Sequence, residues 1–250
     1  MSSEAGYAVE RESSLNDIIY YCIDHFKIGS SQRLTALQTR QMVEVFKNPP
    51  QKPDGLLAGR TAVLDAHLEG FGAIVVKHYH RGGLIANLVK RHYLRISKTR
   101  GQIEYEQMER ASKAGINVPA PLAFGYRGRL FYEGWLISRK VPNCQTLAQL
   151  SQTFPERISA IMERLVVQVK LLVENRILHA DFHPGNVLVD DQEQVYIIDF
   201  DKSTEYHGSL ESLKIRYCRR WCRAVLKHGL PHLLCPHPSC NVLNFFDLFH

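Results

Sequence analysis

At 250 residues the chain is long enough to bury a sizeable core in one or two domains. With 45% hydrophobic and 22% charged residues, its composition is that of an ordinary soluble globular protein. The formal net charge of +6 favours an anionic partner, such as nucleic acid, phospholipid or a phosphorylated substrate. The first thirty residues lack the apolar stretch of a signal peptide, and no apolar run is long enough to predict a transmembrane helix.

The first part of the chain, residues 1–54, carries no motif from which a function follows. Residues 18–21, Ile-Ile-Tyr-Tyr, favour a strand, and the pattern over 34–46 favours a helix. The proline-rich stretch 49–53 then interrupts regular structure. We therefore predict that residues 1–54 form an N-terminal extension of unknown role.

Residues 55–79 predict three short strands separated by two turns. Within them, residues 73–77 read Ala-Ile-Val-Val-Lys, an apolar strand that ends in a single lysine. A lysine in this place either serves a binding site or is a solvated residue at a strand end.

The segment 77–100 is strongly basic, with seven Lys or Arg, three His and no acid. Its bases alternate with Leu, Ile and Tyr, which suits the surface of an anionic lipid or glycolipid, where charge and apolar contact act together. Nucleic acid also fits on charge grounds, and a solvated basic face is the simplest alternative. We favour the anionic membrane or glycolipid surface and expect no nucleic acid.

Two helices and a strand are predicted before the most informative motif. The first helix covers 102–113, ends near Gly115 and carries Glu104 and Glu106, which lie about 200° apart at 3.6 residues per turn. A strand is predicted over 134–141. A long helix follows over 155–175, with an apolar stripe at helical spacing that indicates a core-facing helix.

The motif that organises the chain lies within residues 177–201, where three apolar runs are separated by polar turns. The last two runs predict a hairpin, and His179, Asp181, Asn186 and Asp199 fall at strand ends or turns. Asp181 can orient or deprotonate a hydroxyl, while Asn186 and Asp199 can hold magnesium on the phosphates of a nucleotide. Ordinary turn residues are the alternative, but their joint spacing argues against it.

The order His-x-Asp-x-x-x-x-Asn, followed by an apolar strand ending in Asp-Phe, resembles the catalytic and metal loops of protein-kinase-like phosphotransferases. This resemblance implies an α+β, two-lobed protein-kinase-like fold. The small antiparallel-sheet N-lobe would cover 55–141 and the mainly helical C-lobe 142–250. The implied cofactors are ATP and Mg²⁺.

The same resemblance implies roles for residues outside the motif. Lys77 corresponds to the lysine that grips the α- and β-phosphates, and Glu104 to the helix acid that orients it. His183 stands where protein kinases place a lysine near the γ-phosphate, and it either plays a similar role or braces the loop. ATP-binding positions are expected at Gly59 and Arg60, in a loop that lacks the full Gly-x-Gly-x-x-Gly pattern, and at Ser138 and Val141 in the adenine-binding hinge.

The chain departs from protein kinases around the motif. Ala180 replaces the arginine before Asp181, Asp201 replaces the glycine after Asp-Phe, and no Ala-Pro-Glu segment follows. Without that arginine there is no partner for an activation-loop phosphate, so we do not expect switching by loop phosphorylation.

The residues 77–84 (Lys-His-Tyr-His-Arg-Gly-Gly-Leu), 93–94 (Tyr-Leu) and 198–202 (Ile-Asp-Phe-Asp-Lys) resemble the bacterial lipopolysaccharide kinases, in particular 3-deoxy-D-manno-octulosonic acid (Kdo) kinases. The resemblance covers roughly residues 55–228. It implies ATP-dependent phosphorylation of a sugar hydroxyl, Kdo first, on the lipid A precursor. The implied place is the cytoplasmic side of the inner membrane, with the protein peripheral on that anionic surface.

The sequence leaves several alternatives open. His-Ala-Asp-Phe-His-Pro-Gly-Asn is also similar to loops of aminoglycoside phosphotransferases and ABC1-type atypical kinases, so a soluble small molecule or a protein is an alternative acceptor, and core heptose an alternative to Kdo. A pseudokinase that only binds nucleotide is a further hypothesis.

Residues 209–228 predict a basic amphipathic helix that either packs on the fold or contacts a membrane. The irregular Cys and His spacing after Cys218 supports a zinc site only weakly.

Overall fold

The structure is a computed structural model that describes residues 8–11, 18–48, 62–79, 93–94, 98–129 and 131–235. Gly59, Arg60 and most of the basic segment 77–100 lie outside the described residues. The chain divides into two compact units, one formed by 1–106 with 120–140 and the other by 107–119 with 141–250. The described part is α+β, with a large antiparallel sheet and five α-helices.

The first unit is built on an eight-stranded antiparallel sheet. Its strands are β1 (Ala8–Arg11), β2 (Ile19–Ile23), β3 (Phe26–Ser30), β4 (Ala62–Leu68), β5 (Gly72–Tyr79), β6 (Tyr93–Leu94), β7 (Pro121–Gly128) and β8 (Phe131–Arg139). Their order is β1-β2-β3-β7-β8-β5-β4, and β6 also pairs with β8. The segment predicted as an N-terminal extension therefore contributes three strands to this sheet, while the first of the three strands predicted over 55–79 lies outside the described residues.

Helix α1 (Ala36–Lys47) packs on this sheet and confirms the helix predicted over 34–46. It begins with a capping box, in which the Thr35 hydroxyl accepts from the Gln38 backbone N–H and the Gln38 side chain accepts from that of Thr35. The Phe46 ring stacks on Trp135 of β8 with 4.9 Å between ring centroids. Burial of an aromatic side chain of this size contributes about 1.5–3 kcal/mol, so this contact joins helix and sheet firmly.

Helix α2 (Arg100–Lys113) confirms the helix predicted over 102–113, and Gly115 (φ 80°) follows its end as expected for a helix C-cap. Its first turn lies against the backbone of β8. A Cβ atom on Gly101 would stand 2.5 Å from the Trp135 carbonyl oxygen. Only glycine permits this close approach.

The described part of the second unit combines five short strands and one short α-helix with two longer helices. In chain order these are β9 (Gln145–Thr146), α3 (Leu147–Thr153), α4 (Ile158–Glu174), β10 (Ile177–Leu178), β11 (Val187–Val189), β12 (Val195–Ile197), β13 (Thr204–Glu205) and α5 (Leu210–Lys227). The predicted hairpin is confirmed, since β11 and β12 are antiparallel with Val187 opposite Ile197. Strand β9 pairs with the other side of β11, and β10 pairs with β13.

The two long helices bury the apolar stripes expected of them. The predicted stripe of α4 is buried, which confirms it as a core helix. On α5, Leu213, Tyr217, Trp221 and Val225 are buried, whereas Leu210, predicted in the same stripe, is 37% exposed because it is the first residue of the helix. None of the helices in the described part of the chain combines the length and apolar character needed to cross a bilayer.

The approach of α2 to β8 gives a test of the fold. Replacing a helical glycine by alanine normally stabilises a protein by about 0.5–1 kcal/mol. We expect Gly101→Ala to lower the free energy of unfolding by about 1–3 kcal/mol instead, because its methyl group would overlap the Trp135 backbone oxygen. Urea unfolding measures the change, and Ser112→Ala on the exposed side of α2 is the control; a stabilised Gly101→Ala variant would show that the close approach is absent.

Candidate active site

In the first unit, Lys77 of β5 and Glu104 of α2 form a close ion pair. The Lys77 Nζ lies 2.9 and 2.8 Å from the two Glu104 carboxylate oxygens. The Tyr79 hydroxyl also donates to Glu104 Oε2, and the Glu104 side chain is only 2% exposed. A buried carboxylate with two donors has one orientation available, so Glu104 in turn holds the lysine in place.

Glu106 of α2 has a different partner from Glu104, in agreement with its angular position. The Glu106 Oε2 accepts from Lys98 Nζ at 2.6 Å. The predicted hinge residues sit at the end of β8: Ser138 lies in the strand opposite Val75, and Val141 is buried just beyond it. Their role in binding adenine stays a prediction.

In the second unit, Asp181 lies in the loop after β10 and is surrounded by cations. Arg220 Nη2 of α5 donates to Asp181 Oδ1 at 2.8 Å, and Lys202 Nζ lies 3.8 Å from Oδ2. Burial alone would raise the pKa of the Asp181 carboxyl, but the Arg220 hydrogen bond and the charges of His183 and Lys202 outweigh it and hold that pKa below its ordinary value. Asp181 is therefore ionised at neutral pH.

The loop from Asp181 to Asn186 is closed by its own hydrogen bonds. The Asn186 Nδ2 donates to the Asp181 backbone oxygen at 2.9 Å, and the Asn186 backbone N–H donates to the His183 carbonyl at 2.8 Å. The His183 ring accepts from the Gly185 N–H through Nδ1 at 3.1 Å. Burial lowers the pKa of His183, which favours the neutral ring that this contact requires. Of the two roles left open for His183, the structure shows loop bracing.

His179 is buried and connects the two halves of the motif. Its ring Nε2 lies 2.9 Å from the Ile198 carbonyl oxygen. Burial lowers the pKa of His179 to about 4, so the ring is neutral at neutral pH and Nε2–H is the donor. The His179 backbone N–H donates to the Tyr217 hydroxyl, which itself donates to the Ile177 carbonyl. The loop is thereby held both to Ile198 and to α5.

Asp199 directly follows Ile198, whose carbonyl accepts the hydrogen bond from His179. The Asp199 backbone has φ 67°, a left-handed conformation that Asp adopts more readily than most non-glycine residues. The Ile198 N–H donates to the Asn186 carbonyl at 3.0 Å, so the segments that carry Asn186 and Asp199 are adjacent. Because the Asn186 amide nitrogen is used by Asp181, its amide oxygen is the group left to act as a ligand. An amide oxygen with one carboxylate matches the oxygen ligands that Mg²⁺ prefers.

The described residues contain no group of three or more His, Cys, Asp or Glu side chains placed to hold a metal ion. That finding leaves the weakly supported zinc site without evidence in the described part of the chain, although His237 and Cys240 lie outside it. A magnesium site formed by one carboxylate and one amide would be smaller than such a group, since phosphates and water would have to supply the other ligands.

Sequence reasoning missed two residues of this site, Arg220 and Tyr217. Both lie on α5, about forty residues after Asp181, and were classed as part of a basic face and an apolar stripe. The spacing of α5 indicated which side of the helix is buried, but contained no signal for the loop that it contacts.

Comparison with known proteins agrees with this geometry. Residues 59–209, more than half of the chain, match the Lipopolysaccharide kinase (Kdo/WaaP) family. The chain belongs to this family. The resemblance drawn from the sequence is thus confirmed, and the match ends immediately before α5.

Three relatives carry the name 3-deoxy-D-manno-octulosonic acid kinase. The Vibrio vulnificus protein is 37% identical over 131 residues, which are 51% of this chain and 55% of the relative. The Vibrio cholerae protein is 32% identical over 62% of this chain and 69% of its own length, and the Vibrio parahaemolyticus protein 30% identical over 72% and 76%. The chain thus spans about half the length of the first of these members of the lipopolysaccharide kinase family.

The buried His179 predicts a pH-dependent stability. The unfolded chain takes up a proton near pH 6.5 and the folded chain only near pH 4, so the contribution of neutral His179 is complete above pH 6.5 and is lost as the pH falls towards 4. We expect this to lower the free energy of unfolding by about 3 kcal/mol across that interval.

His179→Gln is the matched variant, since its amide can still donate to Ile198 but does not titrate. Urea unfolding at several pH values between 4 and 7 should show a flatter dependence for the variant, roughly 1 kcal/mol less per pH unit. Parallel curves for the two proteins would contradict a buried neutral His179.

Proposed function

We propose that this protein is a kinase that transfers the γ-phosphoryl group of ATP to a hydroxyl of Kdo on the lipid A precursor in lipopolysaccharide biosynthesis. The observation that carries the proposal is the ionised Asp181, held by Arg220 in a closed loop together with Asn186. Membership of the lipopolysaccharide kinase family and the names of the relatives support this choice of acceptor.

In this proposal Asp181 accepts a hydrogen bond from the acceptor hydroxyl and directs its oxygen at the γ-phosphorus. As the new P–O bond forms and the bond to the leaving ADP breaks, the hydroxyl proton passes to the Asp181 carboxylate. A carboxylate with a lowered pKa is a weak base, so its main contribution is orientation, and it takes the proton as the hydroxyl becomes acidic.

Lys77 would hold the α- and β-phosphates, with Glu104 fixing its position through the buried ion pair. Asn186 and Asp199 would hold Mg²⁺. When bound, such an ion neutralises charge on the phosphates of ATP. The predicted ATP contacts of Gly59, Arg60, Ser138 and Val141 belong to the same proposal.

We infer the two-lobed kinase organisation from the same family membership. The sheet of residues 62–139 would serve as the N-lobe and the helices after Val141 as the C-lobe, with the early strands β1–β3 as an addition to the N-lobe sheet. The basic segment 77–100 would hold the protein peripherally on the anionic cytoplasmic face of the inner membrane.

The proposal is tested by transfer of labelled γ-phosphate to Kdo-bearing lipid A, with soluble sugars, an aminoglycoside and a generic protein as parallel acceptors. We expect label on the glycolipid. We expect Asp181→Asn to lower the rate by about 10²–10⁴-fold while nucleotide binding is retained, because only the hydroxyl-orienting group is lost.

Asp191→Asn, in the exposed turn between β11 and β12, is the control and should transfer normally. Label on a soluble acceptor alone would show that the acceptor is that molecule and not the glycolipid. Magnesium–nucleotide binding without transfer to any acceptor would indicate a pseudokinase. Full activity of Asp181→Asn would overturn the role of Asp181.

The contact between Arg220 and Asp181 predicts a shift in the pH profile. Since the Arg220 hydrogen bond lowers the pKa of Asp181, its removal in Arg220→Gln raises that pKa. The acid limb of the kcat/KM profile should therefore move to higher pH, with a smaller loss of activity on the alkaline side. Lys227→Gln removes a charge from the same helix away from Asp181 and should leave the acid limb in place. If the acid limb of Arg220→Gln does not move either, the limb does not report the ionisation of Asp181.

A further inference from the structure

The second unit contains a cavity beside the Asp181 loop. Its volume is about 470 Å³, and it lies between α5 and the segment 178–180 that leads into Asp181. Arg216, Arg219, Arg220 and Arg223 all line it. None of the described residues in its lining is acidic, so the cavity is strongly electropositive.

The four arginines share one side of α5. At about 100° per residue, positions 216, 219, 220 and 223 fall within an arc of about 100° that adjoins the buried stripe of the helix. The basic face predicted from the sequence therefore also lines the cavity, while its four arginines remain exposed to solvent.

Two of these arginines have partners and two do not. Arg220 donates to Asp181, and Arg216 lies over the Tyr206 ring at 5.6 Å. Neither Arg219 nor Arg223 makes a hydrogen bond or an ion pair with any residue that the structure describes. Two guanidinium groups are thus available to a ligand next to one that is already fixed on Asp181.

Arginine pairs of this kind suit oxyanions, because each planar guanidinium can donate two parallel hydrogen bonds to a carboxylate or a phosphate. On a helix, the Cβ atoms of residues three positions apart are about 5–6 Å apart. Arg220 and Arg223 therefore lie close enough for one small ligand to lie beside both. A ligand bound at Arg219 and Arg223 would therefore extend naturally to Asp181.

We propose that this arginine cavity binds the carboxylate of the acceptor sugar and thereby positions the acceptor hydroxyl at Asp181. The inference rests on the proposed function and deepens it: the relatives act, by their names, on a sugar acid, which is a carboxylate at neutral pH. Arg219 and Arg223 bind the carboxylate, and Arg220 links that subsite to the ionised Asp181.

The test compares two acceptors that differ only in charge: Kdo-bearing lipid A with its free carboxyl group, and its methyl ester with all phosphates retained. We expect wild-type protein to prefer the acid by at least about tenfold in kcat/KM, through KM, because the ester cannot form the charge-assisted hydrogen bonds. Arg219→Gln and Arg223→Gln should each raise the KM for the acid by roughly tenfold and leave the KM for the ester unchanged.

Two further variants control for charge and geometry. Lys227→Gln, on the same helix but outside the cavity, should keep the wild-type preference for the acid. Arg223→Lys keeps the charge but loses the planar fork, and it should retain only part of the preference. Circular dichroism and unfolding curves confirm that each variant is folded.

The outcomes separate this inference from the function on which it rests. If wild-type protein transfers phosphate equally well to acid and ester, the carboxylate subsite is wrong while the kinase stands. A raised KM for both acceptors in the arginine variants would assign the cavity to a phosphate, and a loss of binding to anionic phospholipid vesicles with unchanged KM would assign it to the membrane. Either result overturns the proposal.

Equilibrium binding of free 3-deoxy-D-manno-octulosonic acid and of its methyl ester, without nucleotide, is measured in parallel. Tighter binding of the acid, lost in Arg219→Gln and Arg223→Gln, supports the subsite even if phosphate transfer fails. Equal binding of the two ligands counts against it.

Discussion

The hydrogen bond between His179 and Ile198 anchors the segment that carries Asp181 to the one that carries Asp199. His179 donates from its buried ring to the Ile198 carbonyl, one residue before Asp199, while its own backbone is held by Tyr217. The Nε2–H group donates in either protonation state, and burial keeps the ring neutral at neutral pH by lowering its pKa. This buried contact, together with the bond from Tyr217 to the same segment, restrains the positions of Asp181 and Asp199 relative to each other.

Helix α5 has two separate roles in the second unit. Its apolar side packs against the motif, where the Phe182 ring lies 5.2 Å from Tyr217 and 5.1 Å from Trp221. Its basic side supplies Arg220 to Asp181. The family match covers the motif but ends before α5, so the helix that supports the motif lies outside the matched residues. Loss of α5 would therefore remove both the packing of the loop and the cation whose hydrogen bond lowers the pKa of the Asp181 carboxyl.

The charges around Asp181 and around Glu104 are arranged differently. Glu104 is almost fully buried, and its pairing with Lys77 sets a fixed geometry, because a buried carboxylate cannot exchange its partner for water. Asp181 and Arg220 are 29% and 46% exposed, so solvent screens their interaction and either can change partners when a ligand arrives. A rigid pair suits the support of a nucleotide, and a more accessible one suits the exchange of an acceptor hydroxyl.

The amino-acid sequence by itself determined the α1, α2, α4 and α5 helices, the β11–β12 hairpin, the family and the choice of Glu104 over Glu106. The helices, the hairpin and the angular separation of Glu104 from Glu106 follow from local periodicity, which the backbone geometry of helices and strands translates directly into direction. The family follows from the resemblance of the motifs to those of known kinases. Only the tertiary structure decided that the strands β1–β3 belong to the main sheet, that Tyr217 and Arg220 hold the Asp181 loop, and that four arginines line a cavity. Such contacts join residues about forty or more positions apart, and their free energy depends on burial and on partners that no local pattern specifies.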